Sequence, residues 1–494
     1  MGLDIDRDEF TPDDFERFAG RLEADLRAME SLLARPGFGR GPASIGAELE
    51  LHLVDEQMRP SARNIEVRDA ARDARVTLEL NRFNLEFNAL PNALAGRPFA
   101  ALRSEFEGGL SGLSDAASAH GCRLAIMGIL PTLAEDDLGP ESRTPLARFR
   151  ALSRQLRQLR GEAFEVRVDG IDPLRLRCSD VTLEGANTSW QLHLRVDPDA
   201  FAAHFNAAQL ATGPVLAISG NSPHFVGHRL WDETRVALFK QSVDPRTNLD
   251  DAVHTPPRVG FGTGWTRHGA LEHFQESVAL HRPLLPVCGV EDVDAALRDG
   301  RAPKLEQLRL HHGTVWGWNR AVYDPVDGGD DAHLRIELRA MAAGPTLTDM
   351  LANSAFALGL TLQLSRDTER WLPRMPFELA RHNFYRGAQH GLDAELMWPS
   401  DTAPSPRTRV AAELVRELVP LAAEGLSAAG VDEADFAPLL SIIEARAECG
   451  QTGARWQRRK LDALRATMGI DEALARLLQE YLELSESDRP VHEW

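Results

Sequence analysis

IGAELELHLVD, residues 45–55, alternates Ile45, Ala47, Leu49, Leu51 and Leu53 with Glu48 and Glu50. An apolar residue at every second position predicts a β-strand buried on one face, and it gathers both carboxylates on the other. Acids held together on one sheet face repel each other and retain their protons unless cations neutralise them. The stretch therefore directs attention to what else in the chain could share that face.

Three further segments repeat the design. TLELNRFNLEF (77–87) carries Glu79 and Glu86. A turn over Asn81–Asn84 sets Leu80 opposite Leu85 and Glu79 opposite Glu86, with Cβ atoms roughly 4.5–5.5 Å apart; a continuous strand would send the two acids to opposite faces. SWQLHLRV (189–196) sets Trp190, Leu192, Leu194 and Val196 against Gln191, His193 and Arg195. HLRIELRAM (333–341) sets Leu334, Ile336 and Leu338 against His333, Arg335, Glu337 and Arg339.

One such strand by itself is the pattern of an ordinary solvated sheet face. As a set they differ from it, because the polar rows are acid–acid or Arg–Glu–Arg rather than mixed Thr, Lys and Ser. The intervening SGNSPHFVGHRLWDETR (219–235) and HHGTVWGWNRAVYD (311–324) are rich in Gly, Asn and Trp. Oxygen-rich groups with one imidazole suit Mg²⁺ or Mn²⁺ better than zinc. Arginines beside the acids suggest a metal-bridged anion such as a phosphate chain.

Composition narrows the class. The 494 residues carry a formal charge of −19 and a 43% hydrophobic content, enough for a large core. Lys240, Lys304 and Lys460 are the only lysines. An acidic chain without a basic run is a poor candidate for nucleic acid or an anionic membrane. MGLDIDRDEF lacks an apolar leader core, and no apolar run reaches the length of a membrane span, so a cytoplasmic protein is expected. Cys122, Cys178, Cys288 and Cys449 lie far apart without a C-x-x-C and read as ordinary reduced thiols.

TPDDFERFAGRLEADLRAMESLLARPGFG (11–39) predicts a helix capped by Thr11 and Pro12 and stopped at Pro36-Gly37. Mixed strands and helices follow to about Pro399, and VDGGDD (326–331) reads as a loop. The proline-rich WPSDTAPSPRTR (398–409) reads as a linker. Beyond it VAAELVRELVPLAA, FAPLLSIIEARAECG and IDEALARLLQEYLEL carry helical spacing. The expected division is an N-terminal helix over 1–43, a catalytic domain over 44–400 and a helical subdomain over 401–494, packed on the catalytic domain. Common nucleotide motifs are missing: no Gly-Lys pair occurs, and GFGTGW (260–265) fails the G-x-G-x-x-G spacing and reads as a loop. There is no G-x-S-x-G elbow either. If ATP is bound, metals and arginines on a sheet must hold it.

These residues resemble the glutamate–cysteine ligase type 2, or carboxylate–amine ligase, family, whose fold is that of glutamine synthetase. GAELELHLVD matches its G-x-E-x-E strand, ELNRFNLEFNALP its second acidic segment and SWQLHLRV its histidine strand. ISGNSPHFVG matches an Asn-Ser-Pro-x-x-x-Gly loop, and HGTVWGWNR with HLRIELRAMAAGPT a region ending in Arg-x-Glu-x-Arg. ARHNFYRGAQHGLDAEL and CGQTGARWQ look like the family's C-terminal helices, so the likeness runs over roughly residues 45–460. The chain is longer than compact members, and it reads His-Leu-Arg where many have His-Val-His.

The resemblance implies an α+β fold whose curved, mainly antiparallel sheet holds ATP with Mg²⁺ or Mn²⁺ on its concave face. By position, Glu48, Glu79 and Glu86 would hold one ion, and Glu50, His193 and Glu337 a second. Arg335 and Arg339 would contact the phosphates, with Arg320 a third. Arg229 and Arg235 would hold a substrate carboxylate, with pairing to Asp232 and Glu233 as the alternative. His311, His312, Asn383 and Arg386 are read as packing or helix-surface residues. The implied reaction is ATP-dependent amide formation through an acyl phosphate, from glutamate and cysteine. Another acid or amine, or a nucleotide-binding regulatory protein without turnover, are the alternatives; a bimetallic hydrolase would carry more histidine. Glu337→Ala is expected to abolish turnover with little loss of folding. The partners are small amino acids, amines and ATP; a homo-oligomer is compatible with the sequence, which does not set the oligomeric state.

Overall fold

The structure is a computed structural model that describes residues 5–247, 255–326, 332–400, 403 and 405–494. The VDGGDD loop lies outside the described residues apart from Val326. The first helix, α1 (Pro12–Leu33), begins and ends where its caps predict. The Asp14 carboxylate accepts the Thr11 backbone N–H at 2.8 Å and the Thr11 hydroxyl at 2.9 Å, satisfying groups that a helix start leaves open.

The opening strand, β1 (Ser44–Val54), lies inside an antiparallel sheet. With β2 (Val76–Leu78), β3 (Asn84–Asn88), β4 (Asn92–Ala93), β5 (Arg123–Ala125), β6 (Trp190–Val196), β7 (Asn319–Pro325) and β8 (Ala332–Leu338), the order is β7-β8-β6-β1-β3-β2. The short strands β4 and β5 also pair with β1. Ile45, Ala47, Leu49, Leu51 and Leu53 are buried, as are Leu192, Leu194, Leu334 and Ile336 in the neighbouring strands. This apolar face meets a helical layer that includes α2 (Pro98–Ala119), with α3 (Ala147–Arg160) further along the chain, and then α4 (Phe201–Ser219) and α5 (Leu347–Ser365). The Phe106 ring of α2 lies 4.7 Å from Trp190 and 5.1 Å from Phe87. Gly109 permits that approach, since a Cβ there would sit 2.2 Å from the Phe87 ring.

The β2–β3 register differs from the expected one. Leu85 faces Leu78, and Glu86 faces Thr77 instead of Glu79. The Asn84 N–H bonds the Asn81 carbonyl, and Glu79 lies beyond the last paired residue of β2. Glu79 stays on the face of Thr77, two residues before it, so the two acids remain on one side as diagonal neighbours.

After α6 (Phe377–His390), the expected linker is more ordered at its ends than its prolines suggest. Glu395–Trp398 pairs antiparallel with Arg407–Val410. The three periodic stretches then form α7 (Ala411–Ala428), α8 (Glu433–Cys449) and, after α9 (Gly453–Arg465), α10 (Ile470–Glu486). Leu414, Leu418 and Leu426 of α7 join the core under the sheet. Arg446 of α8 is buried against α5, donating to Asp349 Oδ1 at 2.8 Å and Asn353 Oδ1 at 2.7 Å. Tyr481 of α10 donates its hydroxyl to the Ile126 carbonyl at 2.9 Å and accepts Asn221 Nδ2 at 2.8 Å. No helix among the described residues is long and apolar enough to cross a membrane.

Candidate metal and nucleotide site

The site is built by register on the sheet face opposite the helices. Arg320 of β7 faces Glu337 of β8, Glu337 faces His193 of β6, and His193 faces Gly46 of β1. One pleat along, Glu48 faces Gln191; one further, Glu50 faces Glu86 and Glu86 faces Thr77. Because each strand alternates, the polar residue of every pair falls on the same side.

The acids divide into two groups. Glu48, His193 and Glu337 each offer a ligand atom within 4.8 Å of the others. His193 Nε2 lies 3.1 Å from Glu48 Oε1 and 3.9 Å from Glu337 Oε1. Those contacts lack hydrogen-bond geometry, so both ring nitrogens of this buried histidine are without a hydrogen bond. The second group is Glu50, Glu79 and Glu86, whose charges act on one another. This exchanges the expected places of Glu48 and Glu50. The register explains it: Glu48 is one pleat from the position that faces His193, whereas Glu50 faces Glu86.

Charge separates the groups as well. Burial opposes ionisation of Glu48, yet His193 beside it holds the carboxyl down at about 2. Burial likewise opposes Glu337, but Arg320 and Arg339 keep it well below the usual carboxylate range. In the second group burial is reinforced by neighbouring acids. Glu50 is pushed up to about 7, by burial and then Glu86, against the pull of Arg339 and Arg235. Glu79 lies well above its ordinary value through burial, then Glu86, Glu50 and Glu184; Glu86 is raised by burial and then Glu48.

Two of the three expected phosphate arginines stand at the first group. Arg320 grips Glu337 with two bonds of 2.6 and 3.0 Å, and Arg339 Nη1 reaches Glu337 Oε2 at 3.3 Å. Arg335 lies on the same face, opposite Arg195, with its Nη1 3.0 Å from Asp324. Arg195, where many relatives of the resembled family have histidine, donates to the Gly39 and Arg40 carbonyls that follow α1.

The expected carboxylate-binding arginines fare differently. Arg235, at the head of the short helix Arg235–Ser242, is buried; it pairs with Glu233 at 3.2 Å and donates to the Ala340 carbonyl at 3.2 Å. It braces the end of β8 beneath Arg339. The structure does not bring Arg229 to the group: Asp172 holds it at 2.8 Å and Asp462 at 2.9 Å, because the two-residue strand His228–Arg229 turns away toward α9. His311 and His312 bond the Ser277 and Ala321 carbonyls and pack as expected, and Asn383 ties to Met397.

Two residues escaped the sequence reading. Glu184, in the 3₁₀ turn Val181–Ala186, joins the second acid group. A lone acid in an irregular turn carries no periodicity to find it by. Gln191 was visible in the outward row with His193; its Nε2 donates to Glu50 Oε1 at 2.9 Å. A separate cavity of about 630 Å³ beside α3 is lined by Arg143, Arg150, Arg154 and Arg157 and none of these acids. Asp180, Asp8 and Glu9 already answer three of its four arginines.

Residues 44–480 match the Glutamate-cysteine ligase family 2 (GCS2). The chain belongs to that family. Membership makes it an ATP-dependent carboxylate–amine ligase. It resembles the solved glutamate–cysteine ligase of Francisella tularensis in complex with AMP at 10% identity, with a TM-score of 0.50 over 91% of this chain and 90% of that one. It also resembles the bifunctional glutathione synthetase of Pasteurella multocida, at 10% identity and a TM-score of 0.51, over 94% of this chain and 53% of the other. At such identity the likeness is one of fold, the curved antiparallel sheet with helices of glutamine-synthetase-like ligases. Among curated proteins no match is found.

Family ligases of this kind imply divalent cations, and the donor set fits them. Glu48 and Glu337 supply carboxylate oxygens around an imidazole whose nitrogens lack hydrogen bonds, inside a buried site where such atoms are costly unless satisfied. The second group is all oxygen, with its carboxyls held partly protonated by mutual repulsion that a cation would relieve.

Proposed function

We propose that this ligase joins the γ-carboxylate of glutamate to the amine of cysteine at the expense of ATP. The supporting observation is the arrangement of His193 between Glu48 and Glu337, with Arg320 and Arg339 on the far side of Glu337. Glu48, His193 and Glu337 would hold one divalent cation, and Glu50, Glu79 and Glu86 another. Bound there, such cations neutralise phosphate oxygens and so favour transfer of the γ-phosphoryl group. Arg339 and Arg320 turn from Glu337 to the phosphate oxygens, and Arg335 extends the cationic row along β8. Arg235 keeps Arg339 in place through the Ala340 carbonyl. The acid's carboxylate attacks the γ-phosphorus, giving an acyl phosphate and ADP. The amine then adds to the acyl carbon, phosphate leaves, and the amine loses a proton. The free thiols of the four cysteines agree with a cytoplasmic enzyme.

Phosphate release tests the reading, with ATP, Mg²⁺, glutamate and a panel of amines. Release that requires both glutamate and cysteine is expected. Release with a different pair would overturn the substrate assignment, and release with no pair would overturn turnover itself.

A further inference from the structure

The second acid group holds more negative charge than the expected ligand set supplies. Glu184 arrives from a different part of the fold. Its turn, Val181–Ala186, packs on the β2–β3 connection: Asn81 Nδ2 donates to the Thr182 carbonyl at 2.9 Å. At Gly185 a Cβ would sit 2.6 Å from the Asn81 side chain, so only glycine lets the turn come this close. Asn81 is two residues from Glu79. Three residues past Glu184 the chain re-enters the sheet region, where Ser189 donates its N–H to Glu50 Oε2 at 2.7 Å and its hydroxyl at 3.0 Å. Position 184 is thus tethered on one side to the segment of Glu79 and on the other to the carboxylate of Glu50. Glu50 and Glu184 repel each other, and Arg339 and Arg148 pull on Glu184 from the opposite side.

A second observation points to a ligand. Gln191 is 2% exposed, and its amide sits inside the group, with Nε2 on Glu50 Oε1 at 2.9 Å and on Ser189 Oγ at 3.1 Å. Its Oε1 has no hydrogen-bond partner. A buried amide oxygen without a donor, beside carboxylates, is a place for a cation or its bound water.

We propose that Glu184 is a further oxygen ligand of the divalent cation held by Glu50, Glu79 and Glu86, with Gln191 Oε1 facing the same ion. The inference rests on the two-cation reading above and adds to it a residue from outside the sheet. Four carboxylates around one ion make this the tighter of the two sites when nucleotide is absent, because ligand charge raises affinity for a hard cation.

The test uses full-length protein without nucleotide, titrated with Mn²⁺ and followed by the electron paramagnetic resonance signal of the free ion. Wild type is expected to bind two ions. Glu184→Gln is expected to weaken the tighter one at least tenfold and leave the other unchanged. Its melting temperature without metal should equal or exceed wild type, because a repelling charge is gone, while the rise on adding Mn²⁺ shrinks. A merely structural residue would lower the metal-free value instead. Glu184→Ala serves the same comparison should the glutamine variant not fold. Wild-type affinity in Glu184→Gln or Glu184→Ala, alongside loss of one ion in Glu50→Gln, would overturn the role of Glu184 alone. No Mn²⁺ binding by wild type would overturn the two-cation reading and this inference with it.

Discussion

Replacing Glu337 with Gln removes the anion that two guanidiniums share. Glu337 is 1% exposed and takes both bonds from Arg320 and one from Arg339. Removing one partner of a buried ion pair costs roughly 3–5 kcal/mol, because the other charge is left in a poor solvent. Arg320 and Arg339 keep side-chain exposures of 16% and 13%, so water partly screens them and the lower end applies. At roughly 2.1 cal/mol/K of unfolding entropy per residue, a chain this long loses about 1 °C per kcal/mol. A fall of about 3 °C in the metal-free melting temperature is therefore expected by scanning calorimetry. The expectation from sequence, little loss of folding, fails because the strand pattern makes Glu337 look like a free surface acid. Glu337→Gln combined with Arg320→Gln should cost less than the two single changes added together, by about 1 kcal/mol or more. A Glu337→Gln protein that melts at or above the wild-type temperature would refute the reasoning, since Glu337 would then be one more repelling carboxylate like Glu50.

Arg339→Ala should lower kcat by about 10²–10³, in line with loss of a donor that stabilises transition-state charge, as read by steady-state phosphate release. Metal-free protein should lose stability between pH 6.5 and 8. Glu50 and Glu184, at about 7 and about 8, hold protons in the folded chain that the unfolded chain has already released, so stability falls as pH rises through those values. The buried histidines, displaced downward to about 3 by burial, add their contribution below that window. Mn²⁺ should flatten the slope in melting curves taken across it, and a metal-free stability that climbs over this range would count against the assignment. Arg229→Ala should leave kcat and the KM for the acid substrate within twofold of wild type, since Asp172 and Asp462 hold that side chain away from the acids. Gly109→Ala should destabilise by about 1–3 kcal/mol in urea unfolding, because its methyl group would meet the Phe87 ring.

The acidic strands were legible because alternation is a local property. The row of Leu49, Leu51 and Leu53 has to face a core, and this alone sends Glu48 and Glu50 the other way. The arginine helix cavity, the bracing of Arg235 and the removal of Arg229 were not legible. Each depends on a carboxylate brought from far along the chain, such as Asp462 for Arg229. The pairing of Glu86 with Thr77 instead of Glu79 shows the boundary within one hairpin. Its face could be read from the residues, while its register depended on how Asn81 and Asn84 close the turn.

By itself the amino-acid order determined which side chains turn outward on each strand, where α1 starts and stops, and that the outward rows are acids, one histidine and arginines. These follow from the two-residue repeat and from capping chemistry, which act between neighbours. The tertiary structure decided which acids meet: that Glu48 stands with His193 and Glu337, that Glu50 stands with Glu86, and that Glu184 comes in from a turn. Strand order, register and close contacts such as Gly185 on Asn81 are set by packing between segments a hundred residues apart, and no local pattern carries that information.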